Sequence, residues 1–148
     1  MGGYMTVVVG TDGSDSSFRA VDRAGQLASA PDAKVIVATA FLPTTEDARA
    51  ADVLKDEGYK VTGNAPIYEI LREAGERAKA AGATNVEERA IEGAPVDVLV
   101  DLANEVGADL LVVGNLGLST IAGRLLGSVP ANVARKSKTD VLIVHTTG

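Results

Sequence analysis

The sequence predicts an α/β fold: parallel strands buried on both faces, with helices packed above and below the sheet. Three observations carry this expectation. Short β-rich runs alternate with amphipathic stretches along the chain, giving five β–α repeats. Three of the runs are continuous in Val, Ile and Leu, as strands covered on both faces require. Hydrophobic residues make up 46% of the 148 but aromatics only 3%, so the core is built from Val, Leu, Ile and Ala, which lets helices approach the sheet closely. The length fits one domain over residues 1–148.

The elements follow in order. MTVVVGT (5–11) reads as a buried strand, and residues 14–30 as a helix with Phe18, Val21, Ala24, Leu27 and Ala28 on one face. KVIVATAF (34–41) is the second strand. The one long connection, Leu42 to Gly63, is charged and includes a surface helix, TEDARAADVLKDE. It reads either as a solvated insertion or as a flap over a ligand site, since it leaves a strand's C-terminal end. From Ala65 to Ala81, Ile67, Ile70, Leu71, Ala74 and Ala78 keep helical spacing, and Gly82 stops that helix. NVEERAI (85–91) alternates more weakly, as a strand near a sheet edge does. Pro95 opens a helix carrying Val96, Leu99, Ala103 and Val106, which Gly107 closes. DLLVVG (109–114) is the strongest strand signal. Residues 128–137 form a short helix, and DVLIVHT (140–146) is the last strand.

Composition excludes several functions. There is no cysteine, so neither a disulfide framework nor a thiolate site exists, and a cytoplasmic setting is expected. A single His excludes a His-rich metal site. No apolar run reaches the length of a membrane span, and no secretory signal is read at the N-terminus. The net charge of −6 argues against bulk attraction to nucleic acid or anionic lipid.

In open α/β sheets, ligands sit beyond the carboxyl ends of the strands, where chain order reverses. If the first strand is central and the chain winds outward through the second and third, the fourth must return beside the first. Two unusual loops leave those two strands: GTDGSDSS (10–17) and GNLGLSTIAGRLLGS (114–128). In the second, Gly114 and Gly117 permit close backbone approach, while Gly127 and Ser128 open a helix whose N–H groups and dipole favour an anion. The same glycines also suit a tight turn without a ligand, and Ser128 an ordinary N-cap. From Leu110 to Thr139 there is no Asp or Glu, whereas Arg124, Arg135, Lys136 and Lys138 are present. That segment suits a phosphate neighbour, or a basic surface facing solvent or a partner. In the first loop, Asp12 suits a ribose hydroxyl, an adenine amino group or Mg²⁺; Asp12 and Asp15 also read as turn and helix-start residues. No Walker-type lysine loop and no G-x-S-x-G occur, and His145 has no nucleophile beside it in sequence. No catalytic set and no metal site are assigned.

TDGSDS is loosely similar to the SGGxDS loop of the ATP pyrophosphatases, with Asp12 where that family has a glycine for pyrophosphate. The closer resemblance is to the universal stress proteins. Gly114-x₂-Gly117-x₉-Gly127-Ser128 matches their nucleotide motif, VVGTDGSDSS resembles their first strand and loop, and GSVPANVARKSKTDVLIVH their final helix and strand. The stretch EDARAADVLKDEGYKVTGNAPIYEIL further resembles mycobacterial-type members that bind cyclic AMP. The resemblance implies a Rossmann-like five-stranded parallel sheet of order 3-2-1-4-5 with helices on both faces, and a site for cAMP or ATP. By that resemblance Gly10, Thr11 and Asp12 face the nucleoside, and Ala40 contacts adenine through its backbone. Val113, Gly114, Gly117, Gly127, Ser128 and Val129 line the ribose and phosphate side. Many ATP-binding members carry a polar or basic residue between the first two glycines; this chain has Asn115 and Leu116. Leu116 adds no charge for a triphosphate, so the expected preference is cAMP over ATP, with Mg²⁺ an accompanying ion only for ATP. The resemblance also implies a homodimer through the last strand, and DVLIVHT is the apolar edge that would need one. The leading reading is a nucleotide sensor or buffer. Its competitors are a slow metal-dependent ATPase using Asp12, and a stress-related interaction protein with an incidental nucleotide site.

Overall fold

A computed structural model describes residues 4–41, 65–115 and 129–145. The proposed surface helix within 42–63, Leu116, Gly117, Arg124, Gly127 and Ser128 lie outside the described residues, as does Thr146 at the end of the last strand. In chain order the elements are β1 (Thr6–Gly10), α1 (Asp15–Leu27), β2 (Lys34–Phe41), α2 (Ala65–Ala81), β3 (Val86–Glu92), α3 (Pro95–Val106), β4 (Leu110–Gly114), α4 (Val129–Lys136) and β5 (Asp140–Val144). The sheet is parallel throughout, in the order β3-β2-β1-β4-β5.

The alternation of side chains along each strand divides the core in two. Val7 and Val9 of β1, Val35 and Val37 of β2, and Leu110 and Val112 of β4 face α1 and α2, meeting Phe18, Val21, Ala24, Ile67, Leu71, Ala74 and Ala78. Val8, Ile36, Ala38, Leu111 and Val113 face the opposite way, against Leu99, Leu102, Ala103 and Val133 of α3 and α4. The central strands are therefore apolar on both sides, which is why they read as unbroken runs. β3 is an edge strand of half-buried and exposed residues, with Glu87 and Glu92 among them.

Local chemistry sets the helix limits. Ser14 is the N-cap of α1, its hydroxyl accepting the Ser17 N–H. Pro95 occupies the first turn of α3. At the other end of α3, Gly107 adopts φ +66° and donates its N–H to the carbonyls of Ala103 and Asn104.

The central seam differs at its two ends. At the N-terminal rim, the Asp109 carboxylate accepts the N–H groups of Met5 and Thr6, both at 3.0 Å, holding the start of β4 to the start of β1. At the C-terminal rim, the β1–β4 register stops at Val9 and Val112. β1 stays with β2 to Gly10, opposite Ala38, and Thr11 N–H donates to the Ala38 carbonyl. β4 stays with β5 to Gly114, and Asn115 N–H donates to the Val144 carbonyl. Strands one and four thus part at their carboxyl ends, which is the switch point expected of this strand order.

Candidate functional site

The crevice at that parting has Gly10 at the end of β1 and Gly114 at the end of β4. Both glycines are buried, and neither brings a side chain to the gap. Val113, beside Gly114, points into the α3–α4 layer and is fully buried, so it supports the site from beneath. Ala40 lies near the end of β2. Even-numbered residues of β2 turn their backbone groups toward β1, as Lys34 N–H on Met5 and Ala38 carbonyl with Thr11 demonstrate, whereas Val35 and Phe41 bond toward β3. The amide and carbonyl of Ala40 accordingly project on the β1 side, two residues beyond Ala38.

The turn after β1 is closed by its own hydrogen bonds. Thr11 is 2% exposed; its N–H donates to the Ala38 carbonyl and its carbonyl accepts the Thr39 hydroxyl at 2.6 Å. The Thr11 and Ser17 hydroxyls lie 2.7 Å apart. Gly13 N–H donates to Thr11 Oγ1, Asp12 N–H to Ser17 Oγ, and Ser14 N–H to Asp12 Oδ1. Ser17 Oγ in turn donates to the Ser14 carbonyl at 2.9 Å. Since Ser17 has one hydroxyl proton, the Thr11 hydroxyl is the donor of the pair.

The consequence for binding is specific. Backbone amides 11 to 14 all point into the protein's own acceptors, so this turn is not an anion nest. None of these four amides is left for a phosphate. Thr11 faces inward through its hydroxyl, so its part in any nucleoside site is through its place in the turn. Asp12 is half-buried, and one carboxylate oxygen closes the turn on Ser14. Asp15 opens α1, the helix-start role that its sequence position allowed.

α4 starts at Val129 and carries Arg135 and Lys136 in its last turn, where they also favour the helix dipole. Lys136 lies 3.7 Å from Asp97 of α3, an exposed pair that takes part of the basic segment toward its own neighbour. His145 follows β5, its Nδ1 3.4 Å from the Asn115 side-chain nitrogen, so the two residues flank the outer end of the β4–β5 pair.

Sequence reasoning missed the polar residues that build the turn. Ser14, Ser17 and Thr39 carry it, and the signal was the Ser-x-x-Ser spacing at a helix start together with a threonine inside an otherwise apolar strand. No group of His, Cys, Asp and Glu side chains suited to a metal occurs among the described residues. No described helix is long and apolar enough to cross a membrane.

Known proteins share this arrangement. The universal stress protein family model matches residues 3–145. The chain is 76% identical to universal stress protein Rv1636 of Mycobacterium tuberculosis (strain ATCC 25618 / H37Rv), over 99% of this chain and 100% of the relative. It is similar to the crystal structure of a universal stress protein in complex with cAMP at 69% identity and a TM-score of 0.76, covering 98% of this chain and 99% of that one. A universal stress protein from Archaeoglobus fulgidus in complex with dAMP matches at 27% identity and a TM-score of 0.65, covering 95% and 97%. With the motif, the strand order and these matches in agreement, the chain belongs to the universal stress protein family.

Proposed function

We propose that this protein binds an adenine nucleotide in the crevice between β1 and β4, taking cAMP in preference to ATP, and acts as a sensor or buffer of that ligand. The observation that carries the reading is the cAMP complex of a protein 69% identical over nearly the whole chain. The parted strand ends and the glycines on both walls support it. In this reading Gly10, Thr11, Asp12 and Ala40 form the nucleoside side. Val113, Gly114, Gly117, Gly127, Ser128 and Val129 form the ribose and phosphate side. The preference for cAMP rests on charge. A cyclic monophosphate carries one negative charge, and Leu116 supplies none to offset a triphosphate.

We read the protein as a binder and not a catalyst. Asp12, the carboxylate nearest to a catalytic role, is engaged in closing its own turn. Mg²⁺ enters the reading only as the companion of ATP. The assembly proposed is a homodimer through β5, and the setting proposed is the cytoplasm.

Calorimetric titration of the purified protein with cAMP and ATP, with and without Mg²⁺, tests the reading. cAMP is expected to bind more tightly, and the reverse order would remove the preference. Gly114→Val and Gly127→Val are each expected to abolish binding by placing a side chain in the phosphate space. A folded variant of either kind that bound normally would refute the site.

A further inference from the structure

Three polar side chains are fully buried among the described residues: Thr11 at 2%, Ser17 at 1% and Thr39 at 0% exposure. They come from three elements or their junctions, and all converge on the carboxyl end of β1. Buried hydroxyls are costly unless they are bonded, and a core of this composition could have used Ala or Val at each place. Their concentration at one turn therefore calls for a role at that turn.

We propose that Ser17 is a positioning residue for nucleotide binding: its buried hydroxyl, with those of Thr11 and Thr39, fixes the turn that presents Asp12 to the nucleoside. This rests on the adenine-nucleotide reading above and adds residues to which that reading gives no part. The geometry is direct. Ser17 Oγ accepts the Asp12 N–H at 3.3 Å and the Thr11 hydroxyl at 2.7 Å, and donates to the Ser14 carbonyl at 2.9 Å. One oxygen thus touches the residues on both sides of Gly13, across the tightest part of the turn. Thr39 clamps the Thr11 carbonyl from the neighbouring strand at 2.6 Å. Gly13 sits between these bonds at φ +86°, a conformation that a β-carbon rarely adopts. A turn passing through that conformation is held by partners on either side or relaxes toward alternatives. Loss of the Ser17 oxygen frees the Asp12 amide and loosens the turn in which the Asp12 carboxylate is held on the Ser14 N–H.

An ordinary role for a serine at this position is to bond back to a carbonyl in the first turn of a helix, which would affect stability alone. A thermodynamic cycle separates the two. Affinity for cAMP is measured by calorimetry for the wild type, Ser17→Ala, Asp12→Ala and the double variant, with thermal midpoints alongside. Asp22→Ala, which breaks an ion pair with Arg77 away from the turn, serves as a destabilised control. Ser17→Ala is expected to weaken cAMP binding about tenfold, the scale of one buried hydrogen bond. In the Asp12→Ala background the same substitution is expected to cause no further loss, because the residue it acts through is gone. The control is expected to lose stability and keep its affinity. Unchanged affinity in Ser17→Ala overturns the proposal, and so does an equal loss in both backgrounds. If Ser17→Ala does not fold, Thr39→Val is read by the same cycle, since it removes one hydroxyl and keeps the shape. A wild type that binds no cAMP would sink the nucleotide reading itself, whereas a binding wild type with an indifferent Ser17→Ala sinks only the positioning role.

Discussion

Glu87 sits on the edge strand between two cations, with Lys34 Nζ 2.8 Å from one carboxylate oxygen and Arg89 Nε on the other. The hydrogen bond from Lys34, then that from Arg89, holds its carboxyl below the usual value, against a smaller opposing effect of burial. The folded-state value is depressed, so the stabilisation is present above the unfolded carboxyl range and is lost as pH falls through the folded value. All three side chains are about a third exposed, which limits the contribution to less than about 1 kcal/mol. Glu87→Gln is expected to lower the thermal midpoint at neutral pH, with the two proteins converging under acid conditions where Glu87 is protonated. A constant gap across pH would contradict this. Residues of this kind were only partly legible in the sequence. Asp12 was singled out by its place after a strand, and the structure sets it half-buried in the turn after β1, with one carboxylate oxygen on the Ser14 N–H. The Ser-x-x-Ser spacing at the helix start hinted at the local bonds of this turn, but the Thr39 hydroxyl reaches the Thr11 carbonyl only once β2 lies beside β1, so no spacing along the chain announced that clamp.

Two helices on one face of the sheet approach closely at Gly25. A β-carbon built there would lie 2.5 Å from the Ala78 carbonyl oxygen and 3.0 Å from Ala78 Cα, both backbone atoms that cannot swing away. Ala24, Ala28, Ala74 and Ala78 surround the contact and keep the helices near each other. The bidentate pair of Arg77 with Asp22, at 3.1 and 2.7 Å, closes the outer side, with the guanidinium 5.1 Å from the Phe18 ring centre. Gly25→Ala must push α1 and α2 apart, and is expected to cost about 1–3 kcal/mol, the usual range for overpacking. Chemical denaturation measures this, and a neutral or stabilising result would show that the helices have slack. Most elements were legible because periodicity and punctuation agreed: Ser14, Pro95 and Gly107 stand at helix ends, and apolar runs mark the central strands. Boundaries moved by one to three residues. The helix expected over 14–30 is Asp15–Leu27, and the strand expected over 5–11 is Thr6–Gly10. The closeness at Gly25 was not legible, since a glycine within a helical pattern does not say which neighbour demands it.

Across the whole sheet, the two edges differ in character. β3 carries Glu87, Glu88, Arg89 and Glu92, and charges of this kind discourage pairing with another strand. β5 carries Val141, Leu142 and Ile143, with Ile143 42% exposed. An apolar edge on one side only favours self-association there, which supports the proposed homodimer through β5. Light scattering is expected to give a dimer for the wild type and a monomer for Ile143→Lys; a variant that remained dimeric would move the interface elsewhere. The strand order was legible as a condition: a central first strand with outward winding forces a return, and the glycine-rich loops mark where the return opens. What the sequence could not state was how far apart the two strand ends run.

That separation has a mechanical side. The Asp109 carboxylate fastens β1 to β4 at one rim, and the backbone ladder releases them at the other. The outer strands keep both in line past the point of release. The gap is thus shaped while the chain folds, by bonds remote from anything that enters it. A guest between these two strand ends would find them already set by the sheet, so ordering them would add no entropy cost to its binding.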